Sequence, residues 1–283
     1  MSFFTSFFSP AKLNLFFKVI SKRSDGYHEI ASLYQTISLG DIIRIRLADK
    51  DSFLCINADL SNDSSNLIIK ALQLFRKKAV QRLFFADIII EKNIPMMAGL
   101  GGGSSNAATI LWALNELLER PLTLEELILL GAQIGSDVAF FLSSGTALCK
   151  GRGEVFKNIS PIKMKAIVAK PSFGLSTKEV YSNVKINKAI DHVDYTKISK
   201  ETKYKFFNDL EDAAFSLKPQ LKQIQKQLLK MGFDQVIMTG SGTSFFCLGE
   251  TKIKNIDGIQ FYPVESIQRN YDSWYLFYKC KKY

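Results

Sequence analysis

The chain has 283 residues, 47% of them hydrophobic and 23% charged, with a formal net charge of +10 at pH 7. This reads as an ordinary soluble globular protein, long enough for two modest domains or one large one, with no apolar run near the ~20 residues of a membrane span. Cys55, Cys149, Cys247 and Cys280 are widely scattered and His28 and His192 are the only histidines, so a disulfide framework or zinc site is not expected and a reducing cytoplasm is the simplest setting.

Residues 1–8 are apolar but lack a basic leader, and Lys12 and Asn14 interrupt them early, so they do not read as a signal peptide. Residues 7–20 predict strand, tight bend and strand, because Pro10 disfavours unbroken central pairing. Lys12 lies inside this apolar segment. Its pattern fits a side chain that snorkels to the surface as well as one aimed into a pocket. Asp25-Gly26 is a turn signal that presents Tyr27 and His28 together. The pair fits an exposed turn, or a flat recognition surface with a ring nitrogen for hydrogen bonding. Residues 34–47 alternate as a strand. Asn62-Asp63-Ser64-Ser65 caps a helix that Asn66 opens.

A strand pattern at 85–90 leads into Pro95-Met96-Met97-Ala98-Gly99-Leu100-Gly101-Gly102-Gly103-Ser104-Ser105-Asn106-Ala107-Ala108. Apolar residues at 107, 110, 111, 114, 117 and 118 then fall on one helical face. Glycines let a backbone approach a ligand closely, a helix N-terminus adds unpaired N–H groups, and two serines add hydroxyls. Strand, glycine loop and helix together form a phosphate cradle. It is neither a Walker loop, which ends Gly-Lys-Ser/Thr, nor a dinucleotide fingerprint, since Ser104 holds the third glycine's place.

Further on, Thr123 and Glu126 form a capping box before a helix. Asp137, in Gly135-Ser136-Asp137-Val138-Ala139-Phe140-Phe141, reads first as the N-cap of a short helix; a carboxylate against an apolar wall is also a natural general base. Residues 146–156 predict a hairpin around Gly151-Arg152-Gly153, with a domain boundary after it, giving units 1–156 and 157–283. A strand at 162–169 follows, then a capped helix start at 176–181. The lysine-rich stretch to Lys205 reads as irregular surface. A helix starts at 208–211, and another at 219–231 stops at Gly232. Gly240-Ser241-Gly242 is a tight turn between strands, and residues 274–278 predict a last strand. Much of the basic excess lies between Lys185 and Lys230 and reads as solvated surface. A nucleic-acid partner would need a basic stripe interleaved with aromatics, and would leave the glycine loop unexplained.

The loop Pro-x-x-x-Gly-Leu-Gly-Gly-Gly-Ser-Ser-Asn-Ala-Ala resembles the phosphate loop of the GHMP kinases. Lys12, Asp25-Gly26-Tyr27-His28, Gly135-Ser136-Asp137 and Gly240-Ser241-Gly242 follow that family's motif order across nearly the whole chain. Met97, Ala98 and Ala139 depart from its usual residues. The resemblance implies a two-domain α+β fold, with an N-terminal ribosomal protein S5 domain 2-like unit and a C-terminal ferredoxin-like sandwich. The active site would lie in the cleft between them.

It also implies an ATP- and Mg²⁺-dependent phosphorylation. The Asp-Gly-Tyr-His motif points to the members whose acceptor is 4-diphosphocytidyl-2-C-methyl-D-erythritol. Alternatives are another acceptor, such as homoserine, or a non-catalytic nucleotide-binding regulator on the same fold. Implied roles follow residue by residue. Asp137 and Lys12 are catalytic. Pro95, Gly99, Leu100, Gly101, Gly102, Gly103, Ser104, Ser105, Asn66 and Lys92 hold ATP. Asn14, Tyr27, His28, Asp137, Thr177, Tyr181, Gly240, Ser241 and Gly242 hold the acceptor. No cluster identifies the metal ligands, and Ser105 is the one candidate. A monomer or weak homodimer, with no nucleic-acid or membrane partner, is expected.

Overall fold

The protein is described by a computed structural model covering residues 3–79, 83–186 and 206–277. Two long strands, β1 (Thr5–Lys22) and β2 (His28–Ala48), pair antiparallel along nearly their whole length. The turn between them closes through Arg23 N to Tyr27 O at 2.8 Å. Gly26 there has φ +84°, a region that favours glycine.

Around this hairpin stand β3 (Ser52–Cys55), β4 (Phe85–Glu91), β5 (Thr146–Gly151) and β6 (Val155–Asn158). Together with the two-residue β8 (Phe207–Asn208) they form a seven-stranded sheet of order β3-β4-β2-β1-β8, in which β5 pairs with another part of β2 and with β6. Four helices belong to this unit: α1 (Leu67–Lys78), α2 (Gly102–Leu117), α3 (Leu124–Ile134) and the one-turn α4 (Val138–Phe141). The α3 capping box forms as expected, with Thr123 and Glu126 satisfying each other's backbone N–H.

The second unit contains β7 (Lys165–Pro171), α5 (Thr177–Asn183), α6 (Glu211–Leu217), α7 (Gln220–Lys230), β9 (Gln235–Met238), β10 (Phe245–Leu248) and β11 (Ile259–Glu265). Its sheet runs β11-β7-β10-β9, all antiparallel. This fourth-first-third-second order is the ferredoxin-like one. One hydrophobic core lies between the first sheet and α1–α3, and another between the second sheet and α5–α7. A third cluster joins Leu13, Leu15 and Leu33 of the long hairpin to Val168, Phe246 and Tyr262 of the second sheet. The two units are therefore joined by packed apolar side chains.

Three local expectations are corrected. Residues 7–20 form one strand, because Pro10 is accommodated by a register shift at Pro10/Ala11 and not by a bend. Asn208 ends β8, and the helix expected from 208 starts at Glu211. Residues 274–277 form no strand. Trp274 and Tyr275 instead pack into the first core, so the chain returns to the first unit after completing the second. The lysine-rich stretch at 187–205, His192 and Cys280 lie outside the described residues. Among the described residues no helix is long and apolar enough to cross a membrane.

Candidate active site

Successive strand residues point to opposite faces. Past the register shift, β1 therefore sends Ala11, Leu13 and Leu15 into the inter-unit core and turns Lys12 and Asn14 the other way. Lys12 is 3% exposed, which rules out a snorkelling side chain. Its ammonium donates to Asn14 Oδ1 at 2.6 Å, lies 3.4 Å from Asp137 Oδ2 and sits 4.5 Å above the Tyr34 ring. Asp137 occupies the N-cap position of α4, yet its side chain makes no capping bond. Instead Oδ1 accepts from the Tyr34 hydroxyl at 3.0 Å while Oδ2 faces Lys12. The carboxylate is a partner of the lysine and not a cap. Burial, then the Asp137 charge, pushes the Tyr34 phenol well above its ordinary range, so it stays a donor.

A cavity of about 910 Å³ opens over this pair, lined by Lys12, Tyr34 and Asp137 and by Tyr27, His28, Thr177, Tyr181, Gly240 and Ser241. His28 and Tyr181 stand ring to ring at 5.2 Å, which ties the first unit's turn to α5 of the second. Burial and the charge of Lys22 lower the His28 pKa, and burial and Asp137 raise that of Tyr181. At neutral pH both are uncharged. Tyr27 is exposed, with the Arg152 guanidinium 5.0 Å over its ring. Thr177 Oγ1 and Ser241 Oγ are 2.8 Å apart, joining the start of α5 to the 240–242 turn.

A second cavity, of about 390 Å³, lies along the glycine loop. Asn66, Lys92, Pro95, Gly99, Leu100, Gly101, Gly102, Gly103 and Ser104 line it, and Leu60, Leu67, Met96 and Met97 make an apolar flank. Gly101 is the N-cap of α2 in the left-handed conformation, φ +72°. The first helical bond runs from Ser105 N to Gly101 O, so the N–H groups before it are without intrahelical acceptors. A Cβ on Gly103 would meet only Leu67 Cδ1, at 3.7 Å. Donors, a helix N-terminus and open space suit a polyphosphate, and the apolar flank suits a flat ring. Gly99 and Gly101 line both cavities, so the two meet at the loop, beside Lys12.

Three of the residues assigned from the sequence do not reach a cavity. Asn14 is fully buried; its Oδ1 accepts from Lys12 Nζ and Thr239 Oγ1, and its Nδ2 donates to Ser32 Oγ. Ser105 is also fully buried, with its hydroxyl paired to that of Ser9. Among the described residues no three acidic, histidine or cysteine side chains converge to hold a metal. Gly242 stands behind the cleft. A Cβ there would lie 2.1 Å from Gly99 N, so it lets the 240–242 turn dock directly on the glycine loop.

Other functional neighbours escaped the sequence reading. Tyr34 is one, with nothing in its strand to mark it. Asp41, fully buried, binds Lys92 Nζ, accepts from Asn106 Nδ2 at 2.8 Å and from the backbone N–H of Asn93 and Ile94, and thereby fixes the entry to the glycine loop. An acid inside an apolar strand was its available signal. Asn208 donates to Met238 O and Gly240 O, both at 2.7 Å, and holds the 240–242 turn.

Comparison with known families now places this geometry. The GHMP kinases N terminal domain matches residues 66–145, and the GHMP kinases C terminal domain matches residues 187–256. The chain belongs to the GHMP kinase family. The 4-diphosphocytidyl-2-C-methyl-D-erythritol kinase of Protochlamydia amoebophila is 47% identical over 269 residues, covering 95% of this chain and 92% of its own. A solved 4-(cytidine 5'-diphospho)-2C-methyl-D-erythritol kinase superposes with a TM-score of 0.74 at 32% identity, over 87% of this chain and 91% of its own. Homoserine kinase from Cytophaga hutchinsonii superposes with a TM-score of 0.66 at 18% identity, over 89% of this chain and 87% of its own; that likeness is one of fold.

Proposed function

We propose that this chain transfers the γ-phosphoryl group of ATP to the 2-hydroxyl of 4-diphosphocytidyl-2-C-methyl-D-erythritol, in the non-mevalonate (methylerythritol phosphate) route to isoprenoid precursors. The observation that carries this reading is the Lys12–Asp137 pair at the seam where the two cavities meet. The smaller cavity takes ATP, with its phosphates along Gly99 to Ser104 and its base against the apolar flank near Asn66. The larger takes the acceptor, with the cytosine near Tyr27, His28 and Tyr181 and the hydroxyl at Asp137. In this reading residues 1–156 supply most of the ATP-holding unit, which the end of β6, β8 and residues 274–275 complete, and the rest of 157–283 closes the cleft.

Asp137 accepts the hydroxyl proton as the acceptor oxygen bonds to the γ-phosphorus and the bond to the β–γ bridging oxygen breaks, leaving ADP. A carboxylate is too weak a base to make a free alkoxide. A loose phosphoryl-transfer transition state lets the proton leave late, so positioning and charge stabilisation dominate. Lys12 offsets the negative charge that develops on the attacking oxygen. Mg²⁺, expected on the ATP phosphates, would neutralise their charge. The described residues supply no cage for it, as is common where Mg²⁺ is held chiefly by substrate phosphates. The free thiols Cys55, Cys149 and Cys247 fit a reducing, cytoplasmic setting.

The test is a panel of alcohol acceptors with ATP and Mg²⁺, run on the wild type and on Asp137→Asn. Turnover is expected on the cytidyl acceptor and not on homoserine or on a truncated methylerythritol phosphate. Asp137→Asn should lower kcat on the order of 10²-fold or more with ATP still bound. Equal use of the truncated acceptor would remove the cytidyl assignment, and wild-type turnover by the Asn variant would remove the base.

A further inference from the structure

We infer that Tyr34 is a positioning residue for the phosphoryl transfer: its hydroxyl holds the Asp137 carboxylate turned toward Lys12 and the incoming alcohol. This rests on the reading of Asp137 given above. An aspartate at the start of a one-turn helix, with no capping bond, is otherwise free to rotate about χ1 and χ2. A base must lie about 2.6–3.2 Å from the proton it takes, so rotational freedom at Asp137 works directly against turnover.

Tyr34 removes that freedom. Its ring is 2% exposed, packs edge-to-face on Phe140 at 5.0 Å and carries the Lys12 ammonium 4.5 Å over its face. Held in this way, the hydroxyl has one direction to point, toward Asp137 Oδ1 at 3.0 Å. Phe140 belongs to α4, the helix that Asp137 begins, so ring and carboxylate share a rigid frame. With Oδ1 on the phenol and Oδ2 facing Lys12, both carboxylate oxygens are oriented by groups on the β1–β2 hairpin. The hairpin at 151–153 fits over the same pair. A Cβ on Gly153 would stand 3.1 Å from the Tyr34 hydroxyl and 3.4 Å from Asp137 Oδ1, so a side chain there would crowd the bond. The phenol moves no proton in the reaction; it acts through Asp137.

The experiment is a double-mutant cycle on the full chain, with KM for ATP and for the cytidyl acceptor measured beside kcat. Tyr34→Phe removes one oxygen and keeps the ring beneath Lys12. It should lower kcat about tenfold, the scale of losing one oriented hydrogen bond to a charged group, with both KM values within about twofold. In the Asp137→Asn background the same substitution should change kcat less than about twofold, since coupled residues are non-additive. Unchanged kcat in Tyr34→Phe, an effect confined to KM, or an equal loss in both backgrounds would each overturn the inference. Full turnover in Asp137→Asn alone is a separate outcome that removes the base, and the role of Tyr34 with it. Should Tyr34→Phe not fold, 3-fluorotyrosine at position 34 keeps the side-chain shape while strengthening the donor. It must shift kcat and leave KM in place, and an unmoved kcat would equally overturn the inference.

Discussion

At the residue scale the site is a set of polar groups whose partners fix both direction and protonation. His28 shows how a local charge sets a pH limit. Burial, then Lys22, lowers its pKa below the ordinary 6.5 or so. The neutral ring is favoured in the fold, so its contribution to stability is whole above the unfolded value and is lost as pH falls through the folded one. The same sign governs binding if the neutral ring reads the acceptor's base. We expect the acceptor KM to rise as pH falls through the lowered His28 pKa, while the ATP KM stays flat, with His28→Ala abolishing that trend. Parallel pH profiles for the two substrates would show that His28 serves the turn alone. Lys12 belongs to this scale too, because at 3% exposure its charge is held in place by Asn14, Asp137 and the Tyr34 ring. Lys12→Met should lower kcat strongly while ATP still binds, measured by calorimetry beside steady-state kinetics.

At the element scale the glycines do two jobs that look alike in a sequence. Gly101 sets the left-handed cap of α2, while Gly99 and Gly242 let two loops from different units meet. A Cβ on Gly242 would lie within 2.5 Å of three backbone atoms, Gly99 N, Ala98 C and Ala98 O. One loop must then move away from the cleft. A displacement of about 1 Å near reacting groups can cost on the order of 10²-fold, so Gly242→Ala should lower kcat/KM by that order, with far-ultraviolet circular dichroism unchanged. Gly135 provides the contrast. It lies in the Asp137 motif, yet its backbone is extended, φ −173°, and a Cβ would meet only Val138 Cγ2 at 3.4 Å. Gly135→Ala should keep most activity. Equal losses at both positions would mean that loop docking is not what Gly242 supplies.

At the scale of the whole molecule, the last described segment fastens the structure back to its beginning. Arg269 is 6% exposed and lies over the rings of Trp112 and Trp274, at 4.6 and 5.5 Å. It donates to Ser143 O at 2.9 Å, to Leu142 O, and to the carbonyls of Asn270, Tyr271 and Ser273. One side chain thus links α2, which carries the glycine loop, to the end of α4, which carries Asp137. Arg269→Met would take the guanidinium donor from the two buried carbonyls of Leu142 and Ser143, at about 1–3 kcal/mol for a buried group left unpaired. A melting temperature lower by several degrees is expected, with a lower kcat following from the loosened α4; an unshifted melting curve would argue against the clamp.

Much of this was legible in the chain itself. Glycine loop, capping box, Asp-Gly turn and alternating strands are local patterns, and local patterns carry their own physics: φ preferences, helix caps and side-chain periodicity. They sufficed for the phosphate cradle and for Lys12 and Asp137 as candidates, and the family resemblance that they carry implied the α+β class. What they left open was direction. Whether Lys12 surfaced or turned inward depended on a register shift at Pro10/Ala11, and whether Asp137 was a cap or a partner depended on Tyr34, 103 residues away. Ser105 and Asn14 looked available because hydroxyls and amides on a loop or strand are available until something packs on them. Tyr34 and Asn208 carried no mark, and Asp41 only that of an acid inside an apolar strand, since each acquires its role from groups brought to it by sheet pairing and by the docking of one unit on the other. Tertiary structure decided these cases because hydrogen bonding and burial are properties of pairs in space, and the sequence lists only one member at a time.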